Sequence, residues 1–109
     1  MPEERRLVFA GRSKDDLMAF PASARRNAGH QLRRVQEGKE PADWKPMKTV
    51  GAGVAEIRIQ DEAGAFRVIY IAKLEDAIHV LHCFQKQSQK TSPRDLAIAT
   101  ARYRLLAKR

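Results

Sequence analysis

The chain has 109 residues, 21 Lys and Arg against 13 Asp and Glu for a net charge of +8, and an apolar fraction of 43%. That length suits one domain spanning residues 1–109 around one core, and the composition argues against disorder. No run approaches the roughly 18 apolar residues of a membrane span, the charged start Met1-Pro2-Glu3-Glu4-Arg5-Arg6 lacks a signal-peptide stretch, and the single Cys83 excludes an internal disulfide and a cysteine-based metal framework. These features point to a cytoplasmic protein, with Cys83 a small buried hydrophobe.

In chain order, Leu7-Val8-Phe9-Ala10 reads as a first strand ended by Gly11. Ser13 before Lys14-Asp15-Asp16 reads as a helix N-cap with acids in the first turn. Leu17, Phe20, Ala24, Ala28, Leu32 and Val35 form one apolar helical stripe. Pro21 breaks it, because proline disfavours helical backbone at Phe20, and should fall in the first turn of a second helix that Gly38 terminates. Arg25, Arg26, Arg33 and Arg34 lie off the stripe, towards solvent.

Residues 38–53 read as a loop rich in Pro and Gly, with Trp44, the only tryptophan, as a core plug beneath it. Three strands follow over Val54–Gln60, Phe66–Lys73 and Ala77–Phe84, joined by a four-residue loop Asp61-Glu62-Ala63-Gly64 and a short turn around Leu74-Glu75-Asp76. Ser92-Pro93-Arg94-Asp95 combines an N-cap, proline at the first position and a carboxylate three residues on, and opens a terminal helix. The expected fold is α+β: a small twisted antiparallel sheet with an N-terminal strand and helix pair packed on one face, and a C-terminal helix.

Charge is unevenly spread. Residues 1–48 carry 11 basic and 7 acidic groups (+4), residues 49–85 carry 3 and 5 (−2), and residues 86–109 carry 7 and 1 (+6). Positive flanks raise encounter with a polyanion and supply affinity through counterion release, so nucleic acid or an acidic partner is expected.

If the first hairpin is regular, Gln60 faces Ala65, Ile59 faces Phe66, Arg58 faces Arg67 and Ile57 faces Val68. Ile57, Ile59, Phe66 and Val68 then make a core face, and Arg58 and Arg67 stand side by side on the other, open face. Like charges opposed on a sheet repel, so an anion or a carboxylate belongs between them, either a clamped phosphate or Glu56. His79 reads as structural, and simple alternation puts His79 and His82 on opposite faces. His82 remains a candidate acid or base. Lys86-Gln87-Ser88-Gln89-Lys90-Thr91 is a basic linker suited to phosphate.

No carboxylate cluster, Gly-rich phosphate loop or zinc spacing appears, so no metal and no cofactor are expected. RNA carries its own nucleophile, the 2′-hydroxyl. Its attack on the adjacent phosphate requires only cations for the dianion and groups to move protons.

Val54-Ala55-Glu56-Ile57-Arg58, Phe66-Arg67-Val68-Ile69-Tyr70 and Leu81-His82-Cys83-Phe84-Gln85-Lys86-Gln87-Ser88-Gln89-Lys90-Thr91-Ser92-Pro93 together resemble the RelE/ParE toxin superfamily, in its phage-related HigB-like branch. Trp44-Lys45-Pro46-Met47-Lys48 occupies the place of that family's basic loop. The resemblance spans residues 5–109. It implies the toxin of a type II toxin–antitoxin pair: an mRNA interferase, a metal-independent, ribosome-dependent endoribonuclease held in check by a cognate helix-turn-helix (HigA-like) antitoxin.

On that resemblance Arg58 and Arg67 would hold the scissile phosphate, Lys86 would stabilise the transition state or leaving oxygen, His82 would act as acid or base, and Lys48 and Lys90 would bind RNA. Gln87 stands where the branch has a second lysine, and Cys83 where it has glycine. Two alternatives stay open, a ParE-like DNA gyrase inhibitor and a degenerate, non-catalytic RNA- or ribosome-binding module.

Overall fold

The computed structural model describes residues 5–74 and 77–108; residues 1–4, Glu75 and Asp76, where a short turn was expected, and Arg109 lie outside them. Strand β1 (Arg6–Phe9) leads into α1 (Ser13–Met18) and α2 (Ala22–Gln36), then the short β2 (Trp44–Pro46), the meander β3 (Val54–Asp61), β4 (Gly64–Leu74) and β5 (Ala77–Lys86), and finally α3 (Pro93–Ala107). The sheet order is β1-β5-β4-β3-β2. The fold is α+β as expected, but the sheet is mixed, because β1 enters beside β5 in parallel while the other pairs are antiparallel.

The helical stripe is a core. Leu17, Phe20, Ala24, Ala28, Leu32 and Val35 are all buried, packed with Ile57, Ile59, Phe66, Val68 and Cys83 on the first face of the sheet. Burial pushes the Cys83 thiol up to about 12, which leaves it a protonated, inert hydrophobe. Pro21 separates α1 from α2 but sits one residue earlier than expected, as the N-cap of α2 rather than inside its first turn. Gly38, at φ +80°, closes α2. Its N–H donates to the Val35 carbonyl and that of Lys39 to the Arg34 carbonyl, so two terminal carbonyls are satisfied.

Ser13 is not a cap. It lies fully buried inside α1, behind the N-cap Arg12, and its hydroxyl donates to the Val80 carbonyl at 3.2 Å. A serine before two acids looks like a cap in sequence, yet here its hydroxyl joins the Ala10 N–H on the Val80 carbonyl of the neighbouring strand. Ser92 is the cap expected for α3: its Oγ accepts from the Asp95 N–H at 3.1 Å, with Pro93 at the first helical position.

The second face of the sheet is not open. Helix α3 packs on it through Leu96, Ala99, Tyr103 and Leu106, over Val54, Ile69, Ile71, Leu81 and Phe84. The loop between β2 and β3 joins this core through Met47 and Val50. It closes so tightly on α3 that a Cβ at Gly51 would meet the Tyr103 ring at 2.3 Å. No helix among the described residues is long and apolar enough to cross a membrane.

Candidate nucleic-acid interface

The hairpin register places the first two cations. Arg58 stands directly opposite Arg67, Ile57 opposite Val68, Ile59 opposite Phe66 and Gln60 opposite Ala65. The connecting turn is tighter than expected, since Asp61 pairs with Gly64 and leaves only Glu62 and Ala63 between them. Directly opposed residues share a face, so Arg58 and Arg67 lie on the α3 side, away from the Ile57 core.

The two arginines differ in environment. Arg58 is part-exposed, whereas Arg67 keeps only 6% of its surface, so the pair does not stand on an open face. Arg67 Nε lies 3.5 Å from Oε1 of the fully buried Glu56, and Nη1 donates to the Phe66 carbonyl at 3.0 Å. A carboxylate thus lies beside Arg67, one of the two opposed cations. The Glu56–Arg67 contact has ion-pair distance without hydrogen-bond alignment, and among the described residues neither Glu56 oxygen accepts a hydrogen bond.

Two further elements complete the charged end of this face. Strand β2 pairs Lys45 with Glu56, which places the two residues side by side on one face of the sheet. At the end of β5, Lys86 pairs with Ala65, one strand across from Arg67 and two from Arg58. Burial holds the Lys86 ammonium below the ordinary lysine range; Arg67 lowers it further, Glu56 opposes, and Lys45 and Arg58 add to the depression. Lys86 thus senses every charge in the cluster.

Beside it opens a groove of about 670 Å³, lined by Lys45, Lys48, Lys86 and Lys90, with Thr49 and Leu96. The β2–β3 loop supplies one wall and the linker from β5 to α3 the other. Lys48 and Lys90 are exposed. Among the described residues no acidic side chain lines the groove. Its four lysines give it the charge to attract phosphate.

His82 lies elsewhere than an open acid or base would. It is 5% exposed, its ring stacks on Phe84 at 4.9 Å, and Nε2 lies 2.7 Å from Asp95 Oδ1. The other Asp95 oxygen accepts from the Ser92 hydroxyl at 2.7 Å. His82 therefore ties the capping residues of α3 to β5, and with them the end of the linker that carries Lys90. His79 is buried as expected. The two histidines nevertheless share a face, because His79 pairs with Ile71 and His82 with Ile69, with a register shift at Leu81 between them. Among the described residues no group of three His, Cys, Asp or Glu could hold a metal ion.

The core-plug reading of Trp44 is overturned: it is 36% exposed, on a strand whose residues are all exposed. Three residues are too few to show strand periodicity, and the same brevity hid Lys45. Of the residues expected at the site, Arg58, Arg67, Lys86, Lys48 and Lys90 gather around one end of the sheet. Sequence reasoning missed Lys45 and treated Glu56 only as a rival to phosphate.

This constellation sits inside a recognisable family. The family model described as Phage derived protein Gp49-like (DUF891) matches residues 15–104. The chain belongs to the Gp49-like family of phage-derived proteins. That family is associated with toxin–antitoxin systems and is RelE-like. No curated protein matches this Gp49-like chain. The matched span begins in α1 and ends in α3, so the Gp49-like core includes both arginines, Glu56, His82 and all four groove lysines.

Proposed function

We propose that this Gp49-like protein is the toxin of a type II toxin–antitoxin pair and a metal-independent endoribonuclease that cuts mRNA on the ribosome in the bacterial cytoplasm. The observation that supports this most is the meeting of Lys45, Lys48, Lys86 and Lys90 in one groove against the Arg58–Arg67 pair, with Lys86 depressed below the ordinary lysine range. An ammonium held below the ordinary lysine range gives up its proton more readily than an ordinary lysine, which suits a leaving-group acid.

In this reading the lysines of the groove hold phosphates on either side of the cut. Arg58 binds the scissile phosphate, while Arg67, held by Glu56, adds positive potential from behind. The 2′-oxygen attacks the adjacent phosphorus as its proton passes to water. The bond to the 5′-oxygen breaks, and Lys86 protonates that oxygen. The products are a 2′,3′-cyclic phosphate and a 5′-hydroxyl. His82 acts through Asp95, positioning the linker. The antitoxin is a helix-turn-helix protein that covers basic surface.

The burial of Arg67 and the presence of Gln87 favour one other reading, a module that binds RNA or the ribosome without cutting. Purified protein added to translating ribosomes, followed by mapping of mRNA ends, separates the two. New ends bearing 5′-hydroxyls support the nuclease; stalled translation with intact mRNA supports the binder.

A further inference from the structure

A second cavity, of about 460 Å³, opens at the outer edge of the sheet between the loop following α2 and the strands β2 to β4. Its apolar walls include Trp44, Val35 and Pro41, and its polar groups include Glu40, Tyr70 and Lys48. Pro46 and Lys48 line both this cavity and the lysine groove, so the two adjoin at the end of β2. The wall is fixed from behind: Gln31 accepts from the Ala42 N–H at 2.7 Å, and the Arg58 N–H donates to the Asp43 carbonyl at 2.9 Å.

We propose that this cavity is a nucleobase pocket of a single-stranded RNA lying in the lysine groove, with the base stacked on Trp44 and an exocyclic amine donating to the Glu40 carboxylate. The proposal rests on the groove binding RNA phosphate.

Three observations favour a base over a partner's peptide. An exposed tryptophan beside phosphate-binding lysines is the arrangement on which single-stranded bases stack, whatever their sequence. Strand β2 is a poor template for an added strand, since it is three residues long, ends in Pro46 and carries Lys45. The cavity offers both an acceptor, Glu40, and a hydroxyl, Tyr70, as reading a base edge requires. Burial and the nearby Glu40 push the Tyr70 phenol up to about 12, so it remains a neutral hydroxyl at working pH. A carboxylate set to accept from an exocyclic amine favours adenine, cytosine or guanine over uracil, whose only donor on its pairing edge is the ring N3–H.

Trp44 is the only tryptophan, so its emission reports the pocket directly. The test titrates the full chain with short oligoadenylate, oligocytidylate, oligouridylate and inorganic polyphosphate, following Trp44 fluorescence and, in parallel, anisotropy of a labelled oligonucleotide. Saturable quenching by oligoadenylate and oligocytidylate is expected, weaker quenching by oligouridylate, and little change with polyphosphate although it displaces the labelled RNA.

Trp44→Ala should weaken oligoadenylate binding on the order of tenfold and polyphosphate binding hardly at all. Glu40→Gln should level the preference for amine-bearing bases. If RNA binds by anisotropy with Trp44 emission unmoved, the pocket is refuted while the groove stands. If RNA does not bind at all, both fall. A shift of Trp44 emission on adding a co-purified helix-turn-helix antitoxin, with none from RNA, overturns the proposal and gives the pocket to the protein partner.

Discussion

Arg67 Nε lies 3.5 Å from Glu56 Oε1, and both side chains are withdrawn from solvent. Two like charges set opposite each other on a sheet are tolerated here because a buried carboxylate lies beside one of them, while the other, Arg58, is part-exposed to solvent. Removing one partner of a buried ion pair strands the other charge in a medium that cannot solvate it. Glu56→Gln should therefore lower stability by about 3 kcal/mol in urea unfolding, whereas the double replacement Glu56→Leu with Arg67→Met should lower it less. Equal losses in the single and double variants would show that the two groups do not act as a pair.

The His82–Asp95 contact should behave as an anchor. Asp95→Ala leaves the Ser92 cap on the backbone N–H of residue 95 but removes the carboxylate that accepts from the Ser92 hydroxyl and contacts His82, and should cost about 1–2 kcal/mol. His82→Gln should leave the shape of the pH–rate profile for RNA cleavage unchanged while lowering the melting temperature. Loss of one limb of that profile would instead make His82 the acid or base.

Phosphate binding by the lysine groove should show in salt dependence. The logarithm of RNA affinity should fall linearly with the logarithm of salt, and replacing Lys48 or Lys90 with Gln should each reduce that slope by about 1, for any RNA sequence. A flat dependence in the wild-type protein would point to recognition of a protein surface.

Lys86 ties binding to pH. Because its ammonium is depressed in the free protein by burial and neighbouring cations, it loses its proton at a pH where an ordinary lysine keeps it. A bound phosphate favours the charged form, so affinity should fall as pH rises through that lowered value, with proton uptake on binding above it. The same depression means that the unfolded chain holds more protons there, so stability of the free protein should rise with pH across that window. Lys86→Arg should move the alkaline loss of affinity upward. An alkaline limb identical in the variant would place the titrating group elsewhere.

Much of this was legible in the residues. The period of two in Val54–Gln60 and Phe66–Val68, with glycine at the turn, gave the pairing that sets Arg58 against Arg67. The apolar stripe from Leu17 to Val35 gave one face of the core. The second covered face was harder to read, because α3 shows its face through Leu96, Ala99, Tyr103 and Leu106 while Leu105 stays exposed and blurs the period. The bulge at Leu81 was illegible, since Val80 and Leu81 are both apolar and each fits either face; it is what turns His79 onto the side of His82. Ser13, Lys45 and Trp44 depended on partners distant in sequence, namely the Val80 carbonyl, Glu56 on β3, and the cavity wall.

The central claim is cleavage of RNA by its own 2′-hydroxyl at the Lys86 end of the groove, and the chemistry of the cut ends tests it most directly. Wild-type protein and Lys86→Ala would be incubated with ribosomes translating a defined mRNA, and the termini of the fragments determined. The wild type should yield 2′,3′-cyclic or 3′ phosphates and 5′-hydroxyls. Lys86→Ala should cut about 10²-fold more slowly, a loss of about 3 kcal/mol in transition-state stabilisation, with ribosome binding much less affected. Fragments ending in 5′-phosphates, or intact mRNA on ribosomes saturated with wild-type protein, would contradict it.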